Sequence, residues 1–176
     1  DLATWEGVAD VAAKYYAWSN GRHFFGRDAY ANYLLVGSTE LGEAMFQTNG
    51  SKADFHLNRE ILRRMWDNFV VPYAKGYYNA AGRYRSDDMK TGDIICYTGS
   101  TASAAYFPDQ VVDDDGTHQI GYQIIMPPTF EGGNAVAPQQ GAGMAVAKSD
   151  EQHEYASCEF LKWFTEKQNN LRFATA

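Results

Sequence analysis

The sequence has 176 residues, of which 45% are hydrophobic and 15% aromatic. Its length fits one domain or a fragment of a larger protein, and its composition predicts a buried core and excludes general disorder. Its 22 acidic and 15 basic residues give a formal net charge of −7, which argues against nucleic acid or anionic lipid as a partner. No apolar run approaches the ~18 residues that a membrane-spanning helix needs.

Four amphipathic helices are predicted from apolar residues that recur at helical spacing. Thr4 and the capping-box pattern Ser149-Asp150-Glu151-Gln152 are typical of helix N-termini, whereas Asn20-Gly21 and Gly76 are typical stops. The predicted helices are Thr4–Trp18, Arg27–Leu41, Asn58–Gly76 and Ser149–Lys167.

Helical spacing assigns the apolar residues of the last two helices to the core. These residues are Leu62, Met65, Trp66, Phe69 and Tyr73 on the third helix, and Ala156, Phe160 and Phe164 on the fourth. Phe24, Phe25 and Tyr97 lie instead at the ends of predicted elements, where a cleft could reach them. Aromatic rings at such positions suit stacking against a sugar.

Three short runs are predicted to be strands: Asp93–Tyr97, Gln119–Met126 and Met144–Lys148. The first and last are almost continuously apolar, which is typical of strands covered on both faces. Glycine and proline are frequent between Pro127 and Gly143, so this stretch is predicted to be an ordered loop between two strands. The pattern indicates a mixed α/β layer domain in which helices outnumber strands.

The segment Tyr97–Ser103 is the first candidate for ligand binding, because a predicted strand turns there into a short helix that Pro108 ends. Backbone N–H groups at the helix start and the hydroxyls of Ser100 and Thr101 suit a carboxylate, a phosphate or a sugar hydroxyl. Equally, Ser100 can simply cap its own helix. A serine nucleophile is disfavoured, since the segment lacks the patterns of known serine hydrolases.

Several other patterns are not assigned to ligand or metal binding. Asp113–Gly116 lacks the closing ligands of a calcium loop and is predicted to be a solvated turn. Asn49-Gly50-Ser51 fits both a glycosylation triplet and a turn. Cys96 and Cys158 are predicted to be buried free thiols. The histidines lack the spacing of a zinc site; they are His23, His56, His118 and His153.

Four segments in chain order carry a family resemblance. Thr4-Trp5-Glu6-Gly7-Val8 is a Thr-Trp-acidic helix start, and Gly92–Ser100 is a strand that leads into a glycine-containing turn. Pro127-Pro128 and then Gln140–Val146 form a Gly-rich turn before an apolar run. The last segment contains Phe160-Leu161-Lys162-Trp163-Phe164-Thr165, then Asn170 and Phe173-Ala174. Together they resemble the extracellular solute-binding proteins of ABC transporters of the sugar-binding type, often called family 1.

The resemblance implies an α/β fold that forms one lobe of a type II periplasmic-binding-protein-like structure, helix-rich with a small mixed sheet. Residues 1–176 are then a single domain similar to the C-terminal, second lobe of a two-lobe protein, truncated at both ends. The first lobe and the signal peptide with its lipidated cysteine would lie outside this sequence. The expected location is extracellular or periplasmic, with a lipid anchor at the cell surface in the intact protein.

The resemblance also implies a binding protein and not an enzyme. The expected ligand is a small solute, a sugar or sugar derivative, that is held in the cleft between two lobes and delivered to ABC permease subunits in the membrane. No cofactor, metal or nucleic acid is expected.

The same resemblance implies three ligand-binding segments. Some maltose-type members have a Trp where this chain has Thr101, and its absence favours a small or polar ligand over a large oligosaccharide. Arg27 or Asp28 can hold a pair of hydroxyls or an anion, or else form a surface ion pair. The expected ligand-binding residues are Tyr97, Thr98, Gly99, Ser100, Thr101, Gly141, Ala142, Gly143, Phe25, Arg27 and Asp28.

Two alternatives stay open at the level of sequence. A small serine-dependent hydrolase would need a histidine within hydrogen-bond reach of Ser100. A stand-alone interaction domain would need its sheet edges covered without a partner lobe.

Overall fold

The computed structural model describes residues 2–175 and contains two compact units, residues 1–138 and 139–176. Within residues 2–175, the first unit holds four α-helices, one 3-10 helix and six short strands, and the second holds two α-helices. The predicted helix-rich α/β class is confirmed. The elements are α1 (Trp5–Trp18), β1 (Phe25–Arg27), α2 (Tyr30–Glu40), β2 (Phe46–Asn49), β3 (Lys52–Phe55), α3 (Arg59–Ala74), α4 (Arg85–Lys90), β4 (Cys96–Thr98), the 3-10 helix (Thr101–Tyr106), β5 (Gln110–Asp113), β6 (Gly116–Gln119), α5 (Glu151–Thr165) and α6 (Lys167–Ala174).

Three predicted helix starts are confirmed by their caps. Thr4 Oγ1 accepts a hydrogen bond from the backbone N–H of Gly7 at 3.0 Å. Asn58 caps α3 by accepting from two backbone N–H groups, and Asp150 caps α5 by accepting from the N–H of His153. Each cap satisfies donors that the first helical turn leaves without a partner.

The second helix begins later than predicted. Arg27 lies in β1, and α2 starts only at Tyr30, after Ala29 in the left-handed region with φ of 54°. The extended conformation of β1 follows from its pairing with β4, a contact that helical periodicity does not report.

An aromatic core joins α1, α2, α3 and β1. The ring of Trp5 meets that of Tyr33 edge-on at 5.1 Å, and Tyr33 stacks on Phe69 at 4.6 Å. Tyr33 also donates its hydroxyl hydrogen to the backbone oxygen of Met65 at 2.9 Å, so the buried phenol is satisfied. The remaining core residues include Val8, Ala12, Phe25, Tyr78 and Phe130.

The third helix buries a narrower face than predicted. Met65 and Phe69 are buried as expected, but the prediction for Trp66 is wrong because its side chain is 54% exposed. Successive residues of an α-helix point about 100° apart, so the buried direction of Met65 turns Trp66 towards solvent.

Three two-stranded sheets form in the first unit. β1 and β4 are parallel, whereas β2–β3 and β5–β6 are antiparallel hairpins. The turn readings of Asn49-Gly50-Ser51 and Asp113–Gly116 are confirmed, since each forms or borders the tip of a hairpin. Gly50 has φ of +62°, a conformation that glycine adopts without strain.

The three predicted strands are largely wrong. The first is confined to Cys96–Thr98, and only Gln119 of the segment Gln119–Met126 lies in a strand. Met144–Lys148 has no regular structure, so the loop 127–143 does not join two strands. An apolar run becomes a strand only where another backbone segment pairs with it, and residues 121–126 and 144–148 have no such partner among the residues that the structure describes.

The second unit forms the predicted late helix without the predicted burial. Ala156 and Phe160 are exposed, and Phe164 is half-buried between Phe160 at 6.0 Å and Phe173 at 5.1 Å. Two short helices offer no further layer that could cover these rings. None of the helices within residues 2–175 is long and apolar enough to cross a membrane.

Adjacent residues of α3 provide a direct test of this core. We expect Met65→Ala to lower the free energy of unfolding by about 2–5 kcal/mol, because it leaves a cavity at a side chain that is 1% exposed. Trp66→Ala removes a larger side chain but should cost less than about 0.5 kcal/mol, because that side chain is mostly in solvent. Urea denaturation of the two variants measures the difference, and equal losses would contradict the assignment.

Candidate functional site

The candidate site lies where two parallel strands end side by side. In the register of β1 and β4, Arg27 is opposite Thr98, and the backbone N–H of Asp28 donates to the backbone oxygen of Thr98 at 3.1 Å. Ligands of α/β proteins commonly bind at the carboxyl ends of parallel strands. The structure thus brings together Arg27, Asp28 and the turn that follows Thr98, three features that the sequence singled out.

Arg27 is held against two aromatic rings. Its guanidinium carbon lies 5.1 Å from the centre of the Trp5 ring and 5.5 Å from that of Tyr33, both within the range of cation–π attraction. Its Nη1 donates to Thr98 Oγ1 at 3.0 Å, and burial lowers the pKa of the guanidinium. Its Nε is buried and has no hydrogen-bond partner among the described residues.

Asp28 forms an ion pair with the buried Arg85 and not a pair at the surface. Its Oδ1 accepts from the backbone N–H of Arg85 at 3.1 Å and lies 3.6 Å from Arg85 Nε. Arg85 is itself buried, pairs with Asp88, and donates to the backbone oxygens of Asn79 at 3.1 Å and Gly82 at 2.5 Å.

Arg85 and its contact with Asp28 are not predicted from the sequence. One signal was available, because Arg85 and Asp88 are three residues apart, a spacing at which opposite charges on a helix attract. The pairing with Asp28 spans 57 residues and has no local signal.

The turn after β4 has the predicted strand-turn-helix form. Ser100 Oγ accepts from the backbone N–H of Ala102 at 3.2 Å, so Ser100 does cap the short 3-10 helix. A Cβ atom at Gly99 would lie 3.0 Å from Ser103 Oγ, 3.1 Å from the Tyr97 ring and 3.3 Å from Asp28 Oδ2. A side chain at position 99 would therefore press against Ser103, the Tyr97 ring and Asp28, and glycine avoids these contacts.

The three aromatic residues expected at a cleft differ in position. Tyr97 is half-buried and stacks on Phe107 with ring centres 6.0 Å apart. Phe24 and Phe25 are 7% and 2% exposed, so the prediction that a cleft reaches their side chains is wrong. Phe25 instead contacts the rings of Trp5 and Tyr78, because β1 runs along the core.

The remaining predicted site residues, Gly141, Ala142 and Gly143, belong to the second unit. They are exposed and lie outside regular structure. A Cβ atom at Gly141 or Gly143 would meet no other atom within 4 Å.

The histidines and the possible metal ligands of the described residues can be located in the structure. Within residues 2–175 no hydrogen bond joins a histidine side chain to Ser100, and no group of three or more His, Cys, Asp or Glu residues could hold a metal ion. Three histidines have other partners: His23 contacts the backbone oxygen of Gly76 at 2.6 Å, His118 contacts Asp113 and His153 contacts Asp150.

The comparisons with known proteins give one match. A family described as bacterial extracellular solute-binding protein matches residues 1–176, the whole chain. Neither the curated proteins nor the solved structures contain a match.

Both cysteines are free, as predicted, but only one is shielded. Cys96 lies in β4 and is half-buried, and burial raises its pKa to about 12. Cys158 on α5 is exposed, so its predicted burial is wrong.

We expect the two thiols to react at very different rates with Ellman's reagent at pH 8. A thiol with a pKa of about 12 is ionised in about one molecule in ten thousand at that pH, and the thiolate is the reactive form. Cys158→Ser should remove the fast reaction, and Cys96→Ser should preserve it. Denaturant should expose Cys96 and make its thiol react fast. Fast reaction in the Cys158→Ser variant would contradict the shielding of Cys96.

Proposed function

The chain belongs to the bacterial extracellular solute-binding proteins, whose members capture solutes outside the cell for transport, and we propose that its own solute is a sugar or sugar derivative. The helix-rich α/β fold with small sheets is consistent with one lobe of a periplasmic-binding-protein structure. We propose further that this chain is the second lobe of a two-lobe receptor, that ABC permease subunits accept the solute, and that a lipid anchor holds the intact protein at the cell surface.

The observation that carries the proposal is the meeting of polar groups at the ends of β1 and β4. Arg27 supplies N–H donors, and Asp28 Oδ2 has no hydrogen-bond donor among residues 2–175. Together with the backbone of the turn at Thr98–Thr101, these groups suit a ligand with several hydroxyls. Gly141–Gly143 are proposed as ligand-binding residues from the resemblance alone.

A small polar ligand fits this turn better than a long oligosaccharide. Thr101 offers no ring for stacking, Phe25 is buried, and Tyr97 already stacks on Phe107. Recognition would therefore depend on hydrogen bonds and charge, which favours a compact ligand with closely spaced polar groups.

The proposed mechanism is closure of two lobes around the solute. A ligand shifts a protein towards the closed form only by the contacts that it makes better in that form. Arg27 and the Thr98–Thr101 turn would provide this lobe's share of those contacts, and the closed form would be the one that the permease recognises. In this proposal the protein binds and releases the solute, and no bond in the solute is broken.

Gly99 provides the test of the site. We expect Gly99→Val to weaken solute binding by roughly tenfold or more, because a branched side chain would occupy the space beside Asp28 and the Tyr97 ring. Isothermal titration calorimetry of the intact protein against a panel of neutral and modified sugars measures this effect.

The matched control is Gly121→Val. Gly121 is also exposed, has no positive φ, and its Cβ would meet no atom within 4 Å. This variant should bind as the unmodified protein does and keep its melting temperature. Gly99→Val should also lower the melting temperature, because its Cβ would lie 3.0 Å from Ser103 Oγ and 3.1 Å from the Tyr97 ring, so its affinity is measured at a temperature at which circular dichroism shows the variant folded. Equal affinities for both valine variants would refute the site, whereas no binding of any sugar would refute the proposed ligand class.

A further inference from the structure

Among the described residues, Arg27 is the only charged residue of the site without an ion-pair partner. Its half-buried guanidinium lies between the rings of Trp5 and Tyr33. A guanidinium has five N–H donors, and among residues 2–175 only one is used, in the bond from Nη1 to Thr98 Oγ1. A buried charge without a partner is costly, so its retention calls for an explanation.

The two nearest carboxylates do not supply the missing partner. Asp28 is directed to Arg85, as described above. Glu40 is 3% exposed, accepts from the backbone N–H of Phe130 at 3.3 Å, and accepts a side-chain hydrogen bond from Trp5. Both attract Arg27 through space, yet neither lies within ion-pair distance of it.

Other shielded arginines of the same unit are fully paired. Arg85 pairs with Asp88 and donates to two backbone oxygens. Arg64, which also lies 5.5 Å from an aromatic ring, pairs with Glu6 at 2.6 Å and donates to the backbone oxygen of Glu131. Both of these arginines are therefore paired with a carboxylate, whereas Arg27 has no carboxylate partner among the described residues.

We infer that the ligand brings this partner: it carries a carboxylate that binds the guanidinium of Arg27, and it belongs to the class of sugar acids. The inference rests on the proposed function. A planar carboxylate matches the guanidinium fork, and the hydroxyls of a sugar acid match the unoccupied Asp28 Oδ2 beside Gly99. The two rings flanking Arg27 keep it in position before the ligand arrives.

Matched neutral and acidic sugars test the inference in the intact protein. The pairs are glucose and glucuronate, galactose and galacturonate, and mannose and mannuronate, each differing only at C6. Isothermal titration calorimetry should give at least one acid that binds roughly tenfold or more tightly than its neutral counterpart, as expected for a charge-assisted contact.

Two arginine variants then assign the preference to a residue. Arg27→Gln should weaken binding of the acid by roughly tenfold to a hundredfold and leave the two members of the pair bound about equally. Arg64→Gln removes the same charge beside another aromatic ring, and it should leave the preference unchanged. If Arg27→Gln does not fold, Arg27→Lys keeps the charge without the planar fork and should reduce the preference.

The outcomes separate the inference from the proposed function. If in every pair that binds the neutral sugar binds as tightly as its acid, the inference is overturned and sugar binding is left intact. A preference for the acid that is unchanged in Arg27→Gln, or in Arg27→Lys where Arg27→Gln does not fold, also overturns it. Failure of all six sugars to bind contradicts the proposed ligand class and the inference together.

Discussion

Backbone hydrogen bonds between β1 and β4 join segments that are 71 residues apart and hold the ends of both strands at the edge of an aromatic core. The core fixes the register of this pair, because Phe25 is buried against Trp5 and Tyr78 and a slip by one residue would turn it outwards. With Phe25 held inside, Arg27 and Thr98 are opposite each other at the strand ends. The position of the polar site is therefore set by apolar packing several ångströms away from it.

Local signals account for what the sequence predicts well. Thr4, Asn58 and Asp150 act within three residues of themselves, so the starts of α1, α3 and α5 could be read from the sequence alone. Strands depend on a partner elsewhere in the chain, and β1, with three residues, is too short to show the alternating pattern that predicts a strand. For the same reason the apolar residues 121–126 and 144–148 were mistaken for strands. Burial on a helix also depends on neighbours, which is why Met65 and Phe69 were assigned correctly and Trp66 and Phe160 were not.

The same division between local and distant information applies to the site. The turn at Thr98–Thr101 was predictable because its strand, its glycine and its cap are consecutive. Arg27 and Asp28 were selected only by family resemblance, and the sequence left their roles undecided. What distinguishes them is their surroundings: Asp28 is paired with Arg85, whereas the guanidinium of Arg27 lacks a carboxylate partner within the residues described. No spacing rule encodes that contrast, since it depends on contacts between segments that are far apart in the sequence.

The long separation of β1 and β4 also has a consequence for the order in which the chain folds. The hairpins β2–β3 and β5–β6 join neighbouring segments, so each can close as soon as it has been synthesised. β1 must wait for a further 71 residues, which at ~5–20 residues per second takes roughly several seconds. Throughout that interval its edge has no strand to pair with and Phe25 lacks part of its packing. The segment proposed to bind the ligand is thus completed late, and until then its unpaired strand edge is open to misassociation.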